Sequence, residues 1–316
     1  MSVSPGQDNR RLFTGVCKNT YACYSAMLAR SSVCPVQIFL VANPRIAAQR
    51  TEEIALQAKW LQPEKTLRVL HFPEYPPPGI DSERRLKRNG QRLSVLTHLL
   101  RKSSEQTILV ATPEAIMGYC PDMAQLREKS IEIRCGQTHS FSAFVSRLLE
   151  HFNYDAEAIC EYPGQMATRG GLIDIYPHDA DRPYRIDFFG DEIESIRSFD
   201  PLTQRSSETY HSLFIPADLE PLKSEKNTNG RVLDSLPDSS ITWVLEEPNQ
   251  LVQEHPQRFS ASANNSESLL PLLENTSLLP AGAITGLSQI DQSPTLFKHA
   301  ERIEAATEPI ADYLFQ

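Results

Sequence analysis

Short apolar runs that are strand-length and lack polar alternation constrain this chain most. Residues 36–42, 67–72 and 107–111 are such runs; the first and third lead into helical periodicity or a helix-start signal, the second into a proline-rich loop before the next helix. A strand that is apolar on both faces needs cover on both, and helices between successive strands supply it in a parallel α/β sheet. The stretch 45–60 repeats Ile46, Ile54 and Ala58 at near-helical spacing. Residues 72–79 hold four prolines and a glycine, which excludes helix and central strand and leaves a rigid loop. From Asp81 or Ser82 as N-cap, Leu86, Leu93, Leu96 and Leu100 form one apolar stripe that Gly90 weakens without breaking. At the end of 107–111, Thr112 is placed to cap a helix with Pro113 in its first position.

The pattern changes further along. A strand at 130–135 precedes a helix at about 140–152, whose Phe141, Phe144, Val145, Leu148 and Leu149 share a face. Three short strands then follow, at 171–176, 184–189 and 192–199, the last two joined by a tight turn at Gly190-Asp191. That is an antiparallel meander. A polar stretch beyond residue 215 leads to another apolar strand at 241–245, and 254–276 reads as a polar helix or a loop. The expected organisation is an α/β domain begun by 1–125, an α+β domain at 126–214 inserted after it, and a return segment at 215–316 that completes the first sheet.

Composition narrows the chemistry. The 316 residues carry 31 Lys and Arg against 40 Asp and Glu, a net charge of -9, so the surface as a whole is no nucleic-acid footprint. The six cysteines contain no CxxC pair; Cys17 and Cys23 read as core thiols, and no metal site is expected. No apolar stretch approaches the roughly 20 residues that span a bilayer, and residues 1–16 lack a secretory pattern. A cytoplasmic location is the expectation. There is no GxxxxGK[ST] loop, GxSxG, HExxH or GxGxxG. The nearest echo of a phosphate loop is 14–20, where Lys18 precedes Thr20 without the second glycine. Glu246 and Glu247 close the strand 241–245 as the acidic end of a Walker B strand would, but with no phosphate loop they read as a strand ending in a turn. No catalytic residue and no cofactor are expected. Arg84, Arg85, Lys87, Arg88 and Arg92 put five cations on one helix, a conceivable DNA contact that a solvated helix face also explains.

The informative stretch is 163–206. On the strand 184–189, side chains alternate, so Tyr184, Ile186 and Phe188 share one face and Arg185, Asp187 and Phe189 the other. The apolar set takes the core. Arg185 and Phe189 are then left outside, Cα atoms about 13 Å apart at about 3.3 Å per residue. An arginine and an exposed aromatic on a rigid strand have the composition of a protein-binding hot spot.

These residues carry a resemblance. Arg169-Gly170-Gly171, Ile173-Asp174-Ile175-Tyr176-Pro177, Arg185-Ile186-Asp187-Phe188-Phe189 and Thr203-Gln204-Arg205-Ser206 closely resemble the UvrB-homology module of the bacterial transcription-repair coupling factors. The likeness continues more weakly in the loop after Phe72, the helix 86–100 and the segment 111–117, and so covers most of residues 10–250. It implies a degenerate helicase-like, P-loop-type parallel-sheet domain without an ATP site, carrying an inserted UvrA-binding domain. The UvrA contacts of that family fall by motif position on Arg169, Arg185 and Phe189. The related excision-repair helicase UvrB differs in having a P-loop and a longer segment where 73–78 stands here. Full coupling factors also engage RNA polymerase and double-stranded DNA, and use ATP and Mg²⁺, through parts outside these 316 residues; the apolar end at 314–316 reads as that of a fragment. Two alternatives remain: a UvrB-like ATPase using Lys18 and Glu246, and a DNA-binding module using the helix 84–92.

Overall fold

The structure is a computed structural model and describes residues 11–14, 20–32, 34–61, 67–101, 105–121, 123–218, 231–236, 241–260, 268–269, 276–279 and 301–304. In chain order, the first elements are β1 (Arg11–Thr14), α1 (Tyr21–Ser31), β2 (Val36–Leu40), α2 (Pro44–Leu61), β3 (Leu67–Phe72), α3 (Ser82–Leu100), β4 (Gln106–Ala111) and α4 (Pro113–Met117). Next come α5 (Met123–Glu128), β5 (Ser130–Arg134), α6 (Phe141–Glu150), β6 (Asp155–Ala156), β7 (Gln165–Arg169), β8 (Leu172–Ile175), β9 (Tyr184–Phe189), β10 (Glu192–Phe199), β11 (Ser206–Tyr210) and β12 (Ser212–Pro216). The last are β13 (Ile241–Glu246), α7 (Pro248–Glu254), β14 (Thr276–Leu279) and β15 (Glu301–Glu304). They pack as two compact units: one from 1–74, 103–118 and 236–316, the other from 75–102 and 119–235.

The first unit is built on a sheet of order β15-β1-β14-β13-β2-β4-β3 in which every described pairing is parallel. β2 is buried along its whole length, the consequence of cover on both faces. On one face Phe39, Val41, Ile108, Val110 and Val244 pack with Tyr21, Ala22 and Ala29 of α1 and Ala47 and Ile54 of α2. β13 and β14, from the end of the chain, sit between β2 and β1. α4 starts as its sequence implies: Pro113 opens the helix, and the Thr112 hydroxyl accepts from the Ala115 N–H at 3.2 Å. The stretch 254–276 contains the end of α7, a 3₁₀ turn at Pro256–Phe259 and the first residue of β14, with 261–267 and 270–275 outside the described residues.

The second unit holds a six-stranded sheet, order β11-β10-β9-β8-β7-β6, antiparallel throughout except for the short parallel pair β6–β7. β5 and β12 form a separate antiparallel ribbon. Ile173, Ile175, Ile186, Phe188, Ile193 and Ile196 line the inner face of the sheet, and α6 packs Phe144 and Leu148 into the same core. Phe141, also on α6, meets the Phe188 ring edge-on at 5.3 Å. Strict alternation along β10 would put Ile193 and Ile196 on opposite faces. A bulge between Ile193 and Ser195 shifts the register and brings both inside.

α3 belongs to this second unit, which comprises 75–102 and 119–235 where the sequence leads one to expect 126–214. Polar contacts explain why. Arg92 is fully buried, its Nη2 donating to the Tyr119 carbonyl and its guanidinium 5.9 Å from the Tyr75 ring centre; Thr97 Oγ1 donates to Asp179 Oδ2 at 2.8 Å. A Cβ on Gly90 would stand 2.6 Å from the His178 carbonyl oxygen, so the glycine permits close approach of helix and loop. Leu93, Leu96 and Leu100 are buried as expected, but Leu86 is exposed. Among the described residues no helix is long and apolar enough to cross a membrane.

Candidate protein interaction surface

The outer face of the six-stranded sheet gathers the three residues singled out from sequence. Directly paired residues on neighbouring strands share a face. Arg169 pairs with Leu172, which pairs with Asp187; Asp174 pairs with Arg185; Phe189 pairs with Glu192. Arg169 therefore lies on the same face as Arg185, Asp187 and Phe189. Strand spacing of about 4.8 Å and a rise of about 3.3 Å per residue put the three Cα atoms at the corners of a triangle with edges of about 12 to 13 Å. Two hairpin tips, Gly170-Gly171 and Gly190-Asp191, stand at the same end of the sheet beside Arg169 and Phe189. Each tip opens on a glycine of positive φ, 61° and 63°.

The three residues differ in how much of them is available. Phe189 is 81% exposed, although it sits on a strand fixed on both sides by hydrogen-bonded neighbours. Arg169 is exposed at the end of β7, and its Nη2 donates to the Ala158 carbonyl at 3.1 Å. Arg185 is committed inward. Its Nε and Nη2 donate to the two carboxylate oxygens of buried Asp174 at 2.7 and 2.8 Å, and its guanidinium stacks 4.8 Å from the Phe199 ring centre. The bond to Asp174 raises the Arg185 pKa against the opposing effect of burial. This side chain ties β9 to β8, and its remaining edge reaches toward Gln204, whose carbonyl and side-chain oxygens lie 3.5 Å away.

Behind Arg185 the outer face is closed by a small cluster of Cys160, Ala167 and Phe199 with Tyr176 against it. Burial and the nearby Asp174 charge push the Cys160 thiol up to about 12, which makes it an inert packing group. The alternation of β8 places Asp174 outside from sequence alone. That it is buried and matched to Arg185 depends on cross-strand register, which no local pattern reveals. The exposed Leu202 and Ile159 at the edges of this face also escaped the sequence reading, because isolated leucines and isoleucines in loops carry no periodic signal.

The other candidate chemistry lies in the first unit. Glu246, at the end of β13, is 3% exposed and held bidentately by Arg50 of α2, Nε to Oε2 at 2.8 Å and Nη2 to Oε1 at 2.9 Å. Arg50 also bonds Glu53, and its guanidinium faces the Tyr21 ring at 5.5 Å. Burial alone would lower the Arg50 pKa, but the bonds and charges of Glu246 and Glu53 raise it. Both Glu246 oxygens are thus occupied by a cation of the protein itself. Lys18, the other member of the ATPase alternative, lies outside the described residues, as does Cys17; Cys23 is half-buried. On the basic helix, burial removes Arg92 from the five cations, and Arg84 pairs with Asp81 at 3.3 Å. What remains is a weaker cationic face than the sequence suggested.

The hairpin-tipped sheet and its outer face lie within residues 131–219, which match the family model of the UvrB interaction domain. The chain is similar to proteins named transcription-repair-coupling factor: that of Bacillus subtilis (strain 168), 37% identical over 126 residues, 40% of this chain and 10% of that protein; that of Escherichia coli (strain K12), 32% over 129 residues, 40% and 11%; and that of Myxococcus xanthus, 31% over 128 residues, 40% and 10%. The resemblance to the coupling factors read from 163–206 is borne out. The aligned stretch spans about a tenth of the length of these relatives.

Proposed function

We propose that the second unit binds UvrA and so recruits the damage-recognition machinery of nucleotide excision repair to DNA where transcription has stalled. The carrying observation is the exposed Phe189, fixed on a rigid hairpin on the same sheet face as Arg169 and Arg185. An aromatic on an ordered strand has only two side-chain torsions to fix when a partner covers it, so it offers a large contact area at low entropic cost. Arg169 supplies charge for an acidic group at the edge of the contact. Arg185 contributes by holding β9 to β8 through Asp174 and by presenting one guanidinium edge beside Gln204.

The first unit is read as the degenerate helicase-like half, of P-loop-type ancestry, with no ATP turnover of its own. Occupation of Glu246 by Arg50 supports this: a carboxylate bound on both oxygens by a buried guanidinium is not poised to hold Mg²⁺ or orient water. In the longer relatives, ATP use, RNA polymerase contact and movement on double-stranded DNA fall to other parts, and the setting is the cytoplasm. Titration against purified UvrA without nucleotide tests the reading. Binding at micromolar affinity or tighter is expected, with Phe189→Ala weakening it by about 30-fold or more at unchanged thermal stability. A folded Phe189→Ala protein that binds as the parent does would refute it.

A further inference from the structure

We infer that the docking surface has a second apolar anchor, Leu202, at the opposite end of the outer sheet face from Phe189, with the exposed Ile159 beside the Arg169 contact. The inference rests on the UvrA-binding reading and extends its footprint. Phe189, Leu202 and Ile159 are 81%, 89% and 46% exposed. All three border one face. Ile159 lies between Ala158, whose carbonyl receives the Arg169 guanidinium, and Cys160, which plugs into the outer-face cluster with Ala167 and Phe199. Leu202 lies on the loop between β10 and β11, which turns back toward Arg185 at Gln204. Scattered exposed apolar residues need no explanation, but a leucine exposed on an ordered loop whose next turn contacts Arg185 adds apolar surface to the face that carries Phe189.

The loop is built to hold Leu202 in place. Asp200 Oδ1 accepts the backbone N–H groups of Leu202 and Thr203 at 2.9 and 2.8 Å. The Gln204 N–H donates to the Asp200 carbonyl at 2.8 Å, the Asp200 N–H to the Arg205 carbonyl at 3.0 Å, and Gln204 Nε2 to the Pro201 carbonyl at 2.8 Å. Gln204 adopts a φ of 58°, a left-handed conformation that a non-glycine residue takes only when its surroundings fix it. A loop tied by five hydrogen bonds around an exposed leucine is preorganised for a contact.

The occupant assigned to it is the protein that covers Phe189. β9 has five residue steps, about 17 Å at about 3.3 Å each, and Phe189 and Leu202 lie toward opposite ends of that length. A standard interface of about 800 Å² per partner is about 32 Å across, so one partner reaches both anchors. Its surface must offer an apolar pocket at each end and acidic groups toward Arg169 and the exposed Arg205.

The test titrates the chain, Leu202→Ser and Phe189→Ala against purified UvrA, with melting temperatures of all three. Leu202 makes no core contact, so the serine variant is expected to melt as the parent does and to bind roughly tenfold more weakly. Parental affinity in Leu202→Ser, beside a loss in Phe189→Ala, overturns this inference and leaves the UvrA reading intact. No binding by the parent overturns both. Sedimentation of the chain alone supplies the last outcome: self-association abolished by Leu202→Ser would assign the anchor to a second copy and overturn the inference.

Discussion

Among the bidentate arginine–carboxylate pairs, Arg50–Glu246 in the first unit and Arg185–Asp174 in the second invite comparison. Arg50–Glu246 is closed on every side, with side-chain exposures of 6% and 3%. Arg185–Asp174 has the same geometry but leaves its arginine 18% exposed, on a face bordered by Phe189 and Leu202. In the first unit the pair occupies both carboxylate oxygens of Glu246. In the second it stiffens a surface and leaves one edge of the cation at the boundary with solvent. The same interaction is thus sealed from solvent in one place and borders an exposed face in the other, and the difference lies in what surrounds it.

The largest test of that contrast removes one partner of the closed pair. Glu246→Ala leaves the Arg50 guanidinium buried with only Glu53 beside it and is expected to cost about 3 to 5 kcal/mol in chemical denaturation. Retention of parental stability would mean that the pair is not structural. Arg185→Ala leaves Asp174 buried without its cation; because Arg185 has some access to water, a smaller loss, about 2 to 3 kcal/mol, is expected by the same assay. The consequence for binding studies is direct: weakened UvrA affinity in Arg185→Ala would mix lost contact with a loosened sheet, whereas Phe189→Ala and Leu202→Ser report contact alone.

A third carboxylate sharpens the comparison by lacking a bonded cation. Asp179 accepts from Thr97, and burial pushes its pKa up to about 6, the more distant Arg101 charge offsetting only part of this. Between about pH 4 and pH 6 the native state therefore keeps a proton that the unfolded chain has released. Stability from this group is greatest below that window and falls as pH rises through it. Asp179→Asn is expected to flatten that slope and to raise stability at pH 7.5 by about 1 to 2 kcal/mol, less than the shift alone would give because Asp179 keeps some contact with water. Denaturation of both proteins at pH 4, 5, 6 and 7.5 measures it, and a parallel pair of curves would contradict the assignment.

What was legible in the sequence follows from how local each signal is. The parallel sheet announced itself through β2, β3, β4 and β13, since apolar strands covered on both faces show as continuous runs. β1, β14 and β15 have four residues each and too few apolar positions to be recognised. The meander at β8, β9 and β10 was legible from alternation, but the bulge that places Ile193 and Ile196 on one face was not. α3 is legible as a helix, but its packing in the second unit is not, because Arg92 and Thr97, polar in sequence, pack inward through Tyr119 and Asp179. Of the candidate surface, Phe189 was visible from strand parity. The inward commitment of Arg185 depends on Asp174, eleven residues away and met only across the β8–β9 ladder.

Amide hydrogen exchange of the chain with and without purified UvrA tests the central claim most directly, since it reads both units in one experiment. Protection on binding is expected at the tip around residues 187–192 and the loop 200–205, with 36–61 and 241–254 unchanged. Protection confined to the first unit, or no protection at either of those sites, would contradict the account.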